Sequence, residues 1–310
     1  MSDFIIPKTR SDIMSEFNQL QHENATSPMS LLLKEQNTAR DTFIKYAPEL
    51  KRISWYYIGT NVWKQVTLMY DDIPAFPPPI VADFTQNYPM LYSNDGGLSS
   101  ATLAQFNYIT EHLDTRSKIG TYFPVMYECR VYSRAVTDEI RRIWNMKLPW
   151  DCAIMYAAHL LSHEFMHYLK MYDIIMDAIN KVTSWEDAYK KTYDKKESRD
   201  AIIADEKDTE KHAMELFYAI IVSGTLAEEI ATHNQLQIIP GGAYDKFLRS
   251  KYNTYRNCMS MYDYMECRYR LNFEDHTQEE IDAIKQRQSK IVKWQKKLAI
   301  KDNTPFIFID

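Results

Sequence analysis

The residues of this chain whose types and spacing most directly imply chemistry are His163-Glu164-Phe165-Met166-His167, two histidines four apart with a glutamate beside the first. In an α-helix, positions four apart lie about 40° apart around the axis, so both imidazoles project from one face and can reach a single ion. Glu164 is turned by about 100° from His163, which sets it beside such an ion without making it a ligand. This is the arrangement in which two histidines hold zinc and the glutamate serves as general base. Zinc in such a site needs a third protein ligand and one position left for water, whose pKa falls to about 7. Glu164 would take the proton of that water as it attacks a carbonyl, then hand it to the leaving amine. A random chain of this size would carry the pattern on the order of once in a hundred. Apolar flanks at Ile154, Leu160, Leu161, Phe165 and Leu169 bury the helix and strengthen the reading.

The third ligand has to come from a later helix that crosses this one. The best source is Thr225-Leu-Ala-Glu-Glu-Ile-Ala-Thr-His233. Thr225 and Glu228 match the capping box T-x-x-E, which gives Glu228 a structural task. Glu229 has no such task and is the expected ligand, with Glu228 and His233 as alternatives. A solvated pair of glutamates at a helix start is the plain structural explanation of the same residues. His233, four residues beyond Glu229, is expected beside the metal or as a donor to the developing oxyanion. His159, one turn before His163, reads as a packed histidine or one that supports the ligands. Tyr244 and Tyr255 are weaker donor candidates among 22 tyrosines.

The elements that must position these groups follow from pattern. With 310 residues, 45% hydrophobic and 7 glycines, the chain has ample core material and favours helices. Residues 1–26 read as a polar arm, and Ser27-Pro28 opens a helix that stops before Pro48. Trp55 to Tyr70 is aromatic and β-branched around Gly59-Thr60-Asn61 and reads as a β-hairpin. Ile80 to Tyr92 and Thr121 to Val136 are strand candidates. From Thr137 onward almost everything is helical, with a long helix from Trp150 to Asn180 after Pro149. Ser184 to Lys211 is dense in charge and reads as a solvated helical excursion. Ser223-Gly224 breaks the next apolar run, a further helix runs from Thr225 to about Ile239, and two more lie near Tyr244–Met265 and Thr277–Lys301.

The motif and the later helical glutamate resemble the gluzincin pattern of metallopeptidases, in which H-E-x-x-H is completed by a downstream glutamate. Ile230 to Phe247 is also faintly similar to the metallopeptidase domain found beside von Willebrand A-like domains in bacteria and phages. There an acidic residue precedes an Asn-Gln step and a Pro-Gly-Gly-type turn, and Glu229 occupies about that place. The resemblance covers roughly residues 150 to 250. It implies an α+β, mostly helical, zincin-like fold with a small N-terminal β portion and a long active-site helix. The domain then spans 27–276, followed by a basic C-terminal helix and tail at 277–310.

The function expected is that of a zinc metallopeptidase acting on a protein or peptide substrate, with zinc (Zn²⁺) as cofactor. The rival is a non-enzymatic zincin-like scaffold, such as a phage structural or protein-binding component that keeps its metal. A formal charge of −5 gives no global reason to expect nucleic acid. The one local hint is the row Lys285, Arg287, Lys290, Lys293, Lys296, Lys297 and Lys301 beside an apolar stripe of Ile284, Ile291, Trp294 and Leu298. That pattern reads first as a terminal helix packed by its stripe, with its lysines in water. Four scattered cysteines, no secretory-type start and no long apolar run fit the cytoplasm of a bacterium or of a virus-infected cell.

Overall fold

Helices dominate, as the scarcity of glycine leads one to expect. The computed structural model describes residues 38, 51–84, 90–92, 98–101, 103–108, 127–180, 199–223, 243–299 and 306–309. In chain order the elements are β1 (Lys51–Ser54), α1 (Trp55–Met69), β2 (Ile80–Asp83), β3 (Met90–Tyr92), β4 (Leu98–Ala101), β5 (Ala104–Tyr108) and β6 (Tyr127–Tyr132). They continue with α2 (Ser133–Trp144), α3 (Trp150–Asn180), α4 (Arg199–Ser223), α5 (Ala243–Phe273), α6 (Gln278–Ala299) and β7 (Phe306–Ile309). The strands form small sheets. β6 is central to one of them, parallel to β2 and antiparallel to β5. β1 pairs in parallel with β7, and β3 with β4 as an antiparallel pair. Among the described residues no helix is long and apolar enough to cross a membrane.

The long helix α3 has the bounds expected from sequence. Pro149 ends the preceding turn, and its carbonyl accepts the first helical bond from the Ala153 N–H at 2.9 Å. Cys152 through Ala158 are buried without interruption, so the first two turns of α3 are enclosed on every side. Further along, the helix packs against α1, α4, α5 and strands β5 and β6. The histidines therefore sit on a rod fixed from several directions.

The expected hairpin at Trp55 to Tyr70 is instead the helix α1. β-branched and aromatic composition suggested strand, but the spacing of the buried residues decides otherwise. Trp55, Ile58, Val62 and Val66 are buried at intervals of three and four, the helical period, with Trp63 beside Val62 on the same face. Ser54 caps the helix by accepting a bond from the Tyr57 N–H at 3.0 Å. Gly59 has the role of close approach rather than of a turn. A Cβ there would run into Ile80, and Leu161 and Phe165 of α3 lie in contact just beyond.

The strand expected from Thr121 to Val136 is described from Tyr127, and it ends at Tyr132. Ser133 begins α2, and its hydroxyl accepts a buried bond from Trp55 Nε1 at 2.9 Å. At the other end of the chain, α6 opens with a capping box. The Thr277 N–H donates to Glu280 at 2.8 Å and the Glu280 N–H returns to Thr277 Oγ1 at 3.3 Å. α6 is joined to the core by Gln295, which accepts from Trp144 Nε1 at 2.8 Å and donates to Ser260 at 3.1 Å. The expected arm (1–26) and first helix (27–47) lie outside the described residues but for Thr38, which is helical. The stretch 184–198 and the helix from Thr225 to Ile239 also lie outside them.

Asp151 is the one acid in the first turn of α3. Burial raises its pKa to about 6, against the lowering effect of bonds from Asn257 at 2.7 Å and the Cys152 N–H at 3.0 Å. A folded pKa above the unfolded value means that stability is present at low pH and is lost as pH rises from about 4 to 6. Replacement by asparagine removes that loss. Asp151→Asn should gain stability relative to wild type by up to about 3 kcal/mol between pH 4 and pH 7. Denaturant melts of both proteins across that range test it, and a pH-independent difference would refute the buried-charge assignment.

Candidate metal centre

His163 and His167 do project from one face of α3. Their Nε2 atoms stand 3.1 Å apart with the rings edge to face. The element opposite is α4, whose sequence explains why it crosses there. Glu206, Glu210, Ala213 and Phe217 are spaced by four, three and four, so two acids continue the line of an apolar stripe. Ala213 and Phe217 are buried, and that burial carries Glu206 and Glu210 against the histidines of α3.

The two helices interlock through alternating side chains. Glu206 lies 3.5 Å from His167 Nε2 and 3.3 Å from His163 Nε2. Glu210 Oε2 is bonded to His163 Nδ1 at 2.7 Å, and its other oxygen lies 3.1 Å from His159 Nε2. His167 Nδ1 faces Asp205 at 3.9 Å, and Asp205 is held by Lys170 at 3.0 Å. Both ring nitrogens of His163 thus face carboxylates, one toward the shared centre and one behind it. The side chains of His163 and His167 are each 19% exposed and that of Glu206 42%, so the centre opens to solvent.

His163, His167 and Glu206 form a group that could hold a metal ion. The donor atoms fit one. Tetrahedral ligands at zinc distances stand about 3.3 Å from each other. Here the two imidazole Nε2 atoms stand 3.1 Å apart, one Glu206 oxygen lies 3.3 Å from His163 and the other 3.5 Å from His167, and one donor atom from each of the three residues lies within 4.8 Å of the others. Two imidazoles and a carboxylate are also a borderline donor set that suits zinc. The carboxylate behind His163 fixes ring orientation and tautomer in the way that supporting carboxylates do in metal sites.

Glu164 is buried and turned away from this row, as its position in the helix requires. Its charge is felt at His163 and also at Cys129 and Tyr132 of β6, which places it on the side of α3 that faces the sheet. Burial opposes a charge on His163. The bonds to Glu206 and Glu210 and the field of Glu164 outweigh it and raise the pKa of His163 to about 10. Glu206 and Glu210 are also burdened by burial, yet the facing histidines hold both well below the usual carboxylate range. In the metal-free protein a proton on His163 therefore stands where a cation would.

The expected ligands His163 and His167 are brought together, while Glu164, next to His163 in sequence, lies on the side of α3 toward β6. The expected third ligand Glu229, its alternative Glu228, and His233 lie outside the described residues. Of the weaker donors, Tyr255 is exposed on α5. Sequence reading missed Glu206 and Glu210 because it took Ser184 to Lys211 as a helical excursion surrounded by solvent. From Arg199 onward this segment is a helix packed along α3. The signal was the spacing of those two acids in line with Ala213 and Phe217.

No protein-family model, no curated protein and no solved structure matches this chain.

Two measurements follow from the geometry. His163→Ala and His167→Ala should each abolish tight zinc binding, and Glu206→Gln should lower affinity at least about tenfold while Glu229→Ala leaves it in place. Competition with a chelator reads this directly, and the reverse order for the two glutamates would return the third place to Glu229. Binding should also displace the proton on His163. Calorimetry in buffers of different ionisation enthalpy at pH 7 should show about one proton or more released per metal, with affinity rising as pH rises toward 10. Binding without proton release would contradict the charged state assigned to His163.

Proposed function

We propose that this chain is a zinc-dependent peptidase of the gluzincin kind, hydrolysing peptide bonds with Glu164 as general base. The observation that carries the reading is the convergence of His163, His167 and Glu206 beside a buried glutamate that is not one of the three. Two histidines and a carboxylate would suffice to hold an ion. Glu164 follows His163 directly on the same turn and is buried, and a carboxylate next to a metal ligand is the type of group that transfers protons in such sites.

A zinc ion held by His163, His167 and Glu206 would supply Lewis acidity and acidify a water to a pKa of about 7. Glu164 takes a proton from the attacking water. The carboxylic acid so formed gives that proton to the leaving nitrogen. Burial of Glu164 keeps bulk water from competing for the transfer. Glu210 keeps His163 Nδ1 protonated and its ring fixed, so Nε2 stays aimed at the centre.

Strand β5 suits the binding of an extended substrate. It lies against α3, and among the described strands its one neighbour is β6. Its outer row of backbone groups can accept a peptide as an added strand, which orients a chain without demanding particular side chains.

The test is Glu164→Gln, which keeps shape and removes the base. The variant should fold, keep its zinc and lose peptide hydrolysis by about 10²–10⁴-fold, measured on a broad peptide library. A wild-type protein that binds zinc fully and cleaves nothing in such a library would favour a zincin-like scaffold without activity.

A further inference from the structure

From the pattern of contacts between α3 and α4 we infer that His159 is a positioning residue of the metal centre, acting through Glu210 on the ligand His163. The inference rests on the metal-site reading and extends it inward. Three histidines on α3, at 159, 163 and 167, face two acids on α4, at 206 and 210. The five side chains alternate between the helices in the order His167, Glu206, His163, Glu210, His159. The row runs from solvent to core. Its outer acid is 42% exposed, and its inner histidine is 5% exposed and packed edge-on against Phe217 at 5.3 Å.

Glu210 explains why the row needs this inner member. One of its oxygens is committed to His163 Nδ1 at 2.7 Å. The other lies at the buried end, where an anionic oxygen with no donor is costly. His159 Nε2 stands 3.1 Å from that oxygen. The two are within reach but not yet aligned as a hydrogen bond, and neither ring nitrogen of His159 has another aligned partner among the described residues. A buried ring nitrogen at that distance has one evident role, which is to donate to the carboxylate. Without it Glu210 would turn toward solvent to recover a donor, and His163 would lose the acceptor that sets its tautomer and angle. Phe217 closes the far side of the ring and leaves His159 little freedom to leave the row.

The experiment compares His159→Phe, which fills the same space without a donor, with His159→Gln, which restores one. Zinc affinity by chelator competition should fall about 10–100-fold in His159→Phe, the usual effect of losing a partner behind a ligand, and recover most of that loss in His159→Gln. In a Glu210→Gln background the His159→Phe change should cost much less, because the two act through one contact. The visible spectrum of the cobalt-loaded protein should shift in His159→Phe and return in His159→Gln. In the metal-free protein, the ¹⁵N shift of His163 Nδ1 should move in the same two directions. Unchanged affinity and spectra in His159→Phe, or a loss fully additive with Glu210→Gln, would overturn the proposal. A wild-type protein that binds neither zinc nor cobalt would fail the metal-site reading instead, and the metal-free ¹⁵N shifts would still decide whether His159 acts on His163.

Discussion

The centre depends on one constraint, that ionisable side chains buried between two helices must meet each other. Glu210, His159 and Glu164 are enclosed or nearly so, and an unpaired charge at such depth is far costlier than a paired one. α4 can therefore approach α3 at one register only, the one that interleaves its acids with the histidines. A shift of α4 by a single residue would rotate Glu206 and Glu210 by about 100° and leave histidines facing alkyl chains. Apolar contact alone, through Ala213, Phe217 and Leu216, would tolerate sliding far better. The polar row supplies the registry and the apolar stripe supplies the adhesion.

The rest of the fold holds α3 still while this happens. Its first turns are surrounded, and α1 packs beside Leu161 and Phe165, with Gly59 leaving the space that Ile80 of β2 fills. Trp63 of α1 meets Phe165 edge to face at 5.6 Å and Tyr168 at 5.8 Å, so aromatic contacts brace the turns of α3 that carry His163 and His167. β6 lines the face that carries Glu164. One helix thus presents three different surfaces, with His163 and His167 toward α4, the buried Glu164 toward the sheet, and a packing face toward α1.

What was legible in the sequence was whatever rests on local periodicity and side-chain type. The helix from Trp150 to Asn180 follows from Pro149 and a long apolar pattern, and the pairing of His163 with His167 follows from a spacing of four. The mainly helical architecture was equally readable. Where composition and period disagreed, composition misled. Trp55 to Tyr70 has the residues of a strand and the burial rhythm of a helix. The segment ending at Lys211 has the charge of a solvent-facing helix, yet two of its acids continue an apolar stripe that starts at Ala213. Which acid meets the histidines is a tertiary fact, set by how two helices cross, and no local pattern contains it. The candidates chosen from sequence at Glu229 and His233 belong to residues that the structure does not describe.

The parallel pairing of β1 with β7 has a consequence for how the molecule assembles. Residues 51–54 are matched one to one with residues 306–309, and Trp55 stacks on Phe308 at 4.6 Å. Almost the whole described chain lies inside the loop this pairing closes. Contacts of such sequence separation form late, because the entropy of closing the loop is lost before the contact rewards it. During synthesis the helices that carry the histidines and acids emerge long before Phe306 and Phe308. The contacts between the histidines of α3 and the acids of α4 are far more local than the pairing that covers Trp55. Trp55 is covered by Phe308 only when residues 51–54 and 306–309 are joined across that loop, so the aromatic edge of α1 depends on the slowest class of contact in the fold.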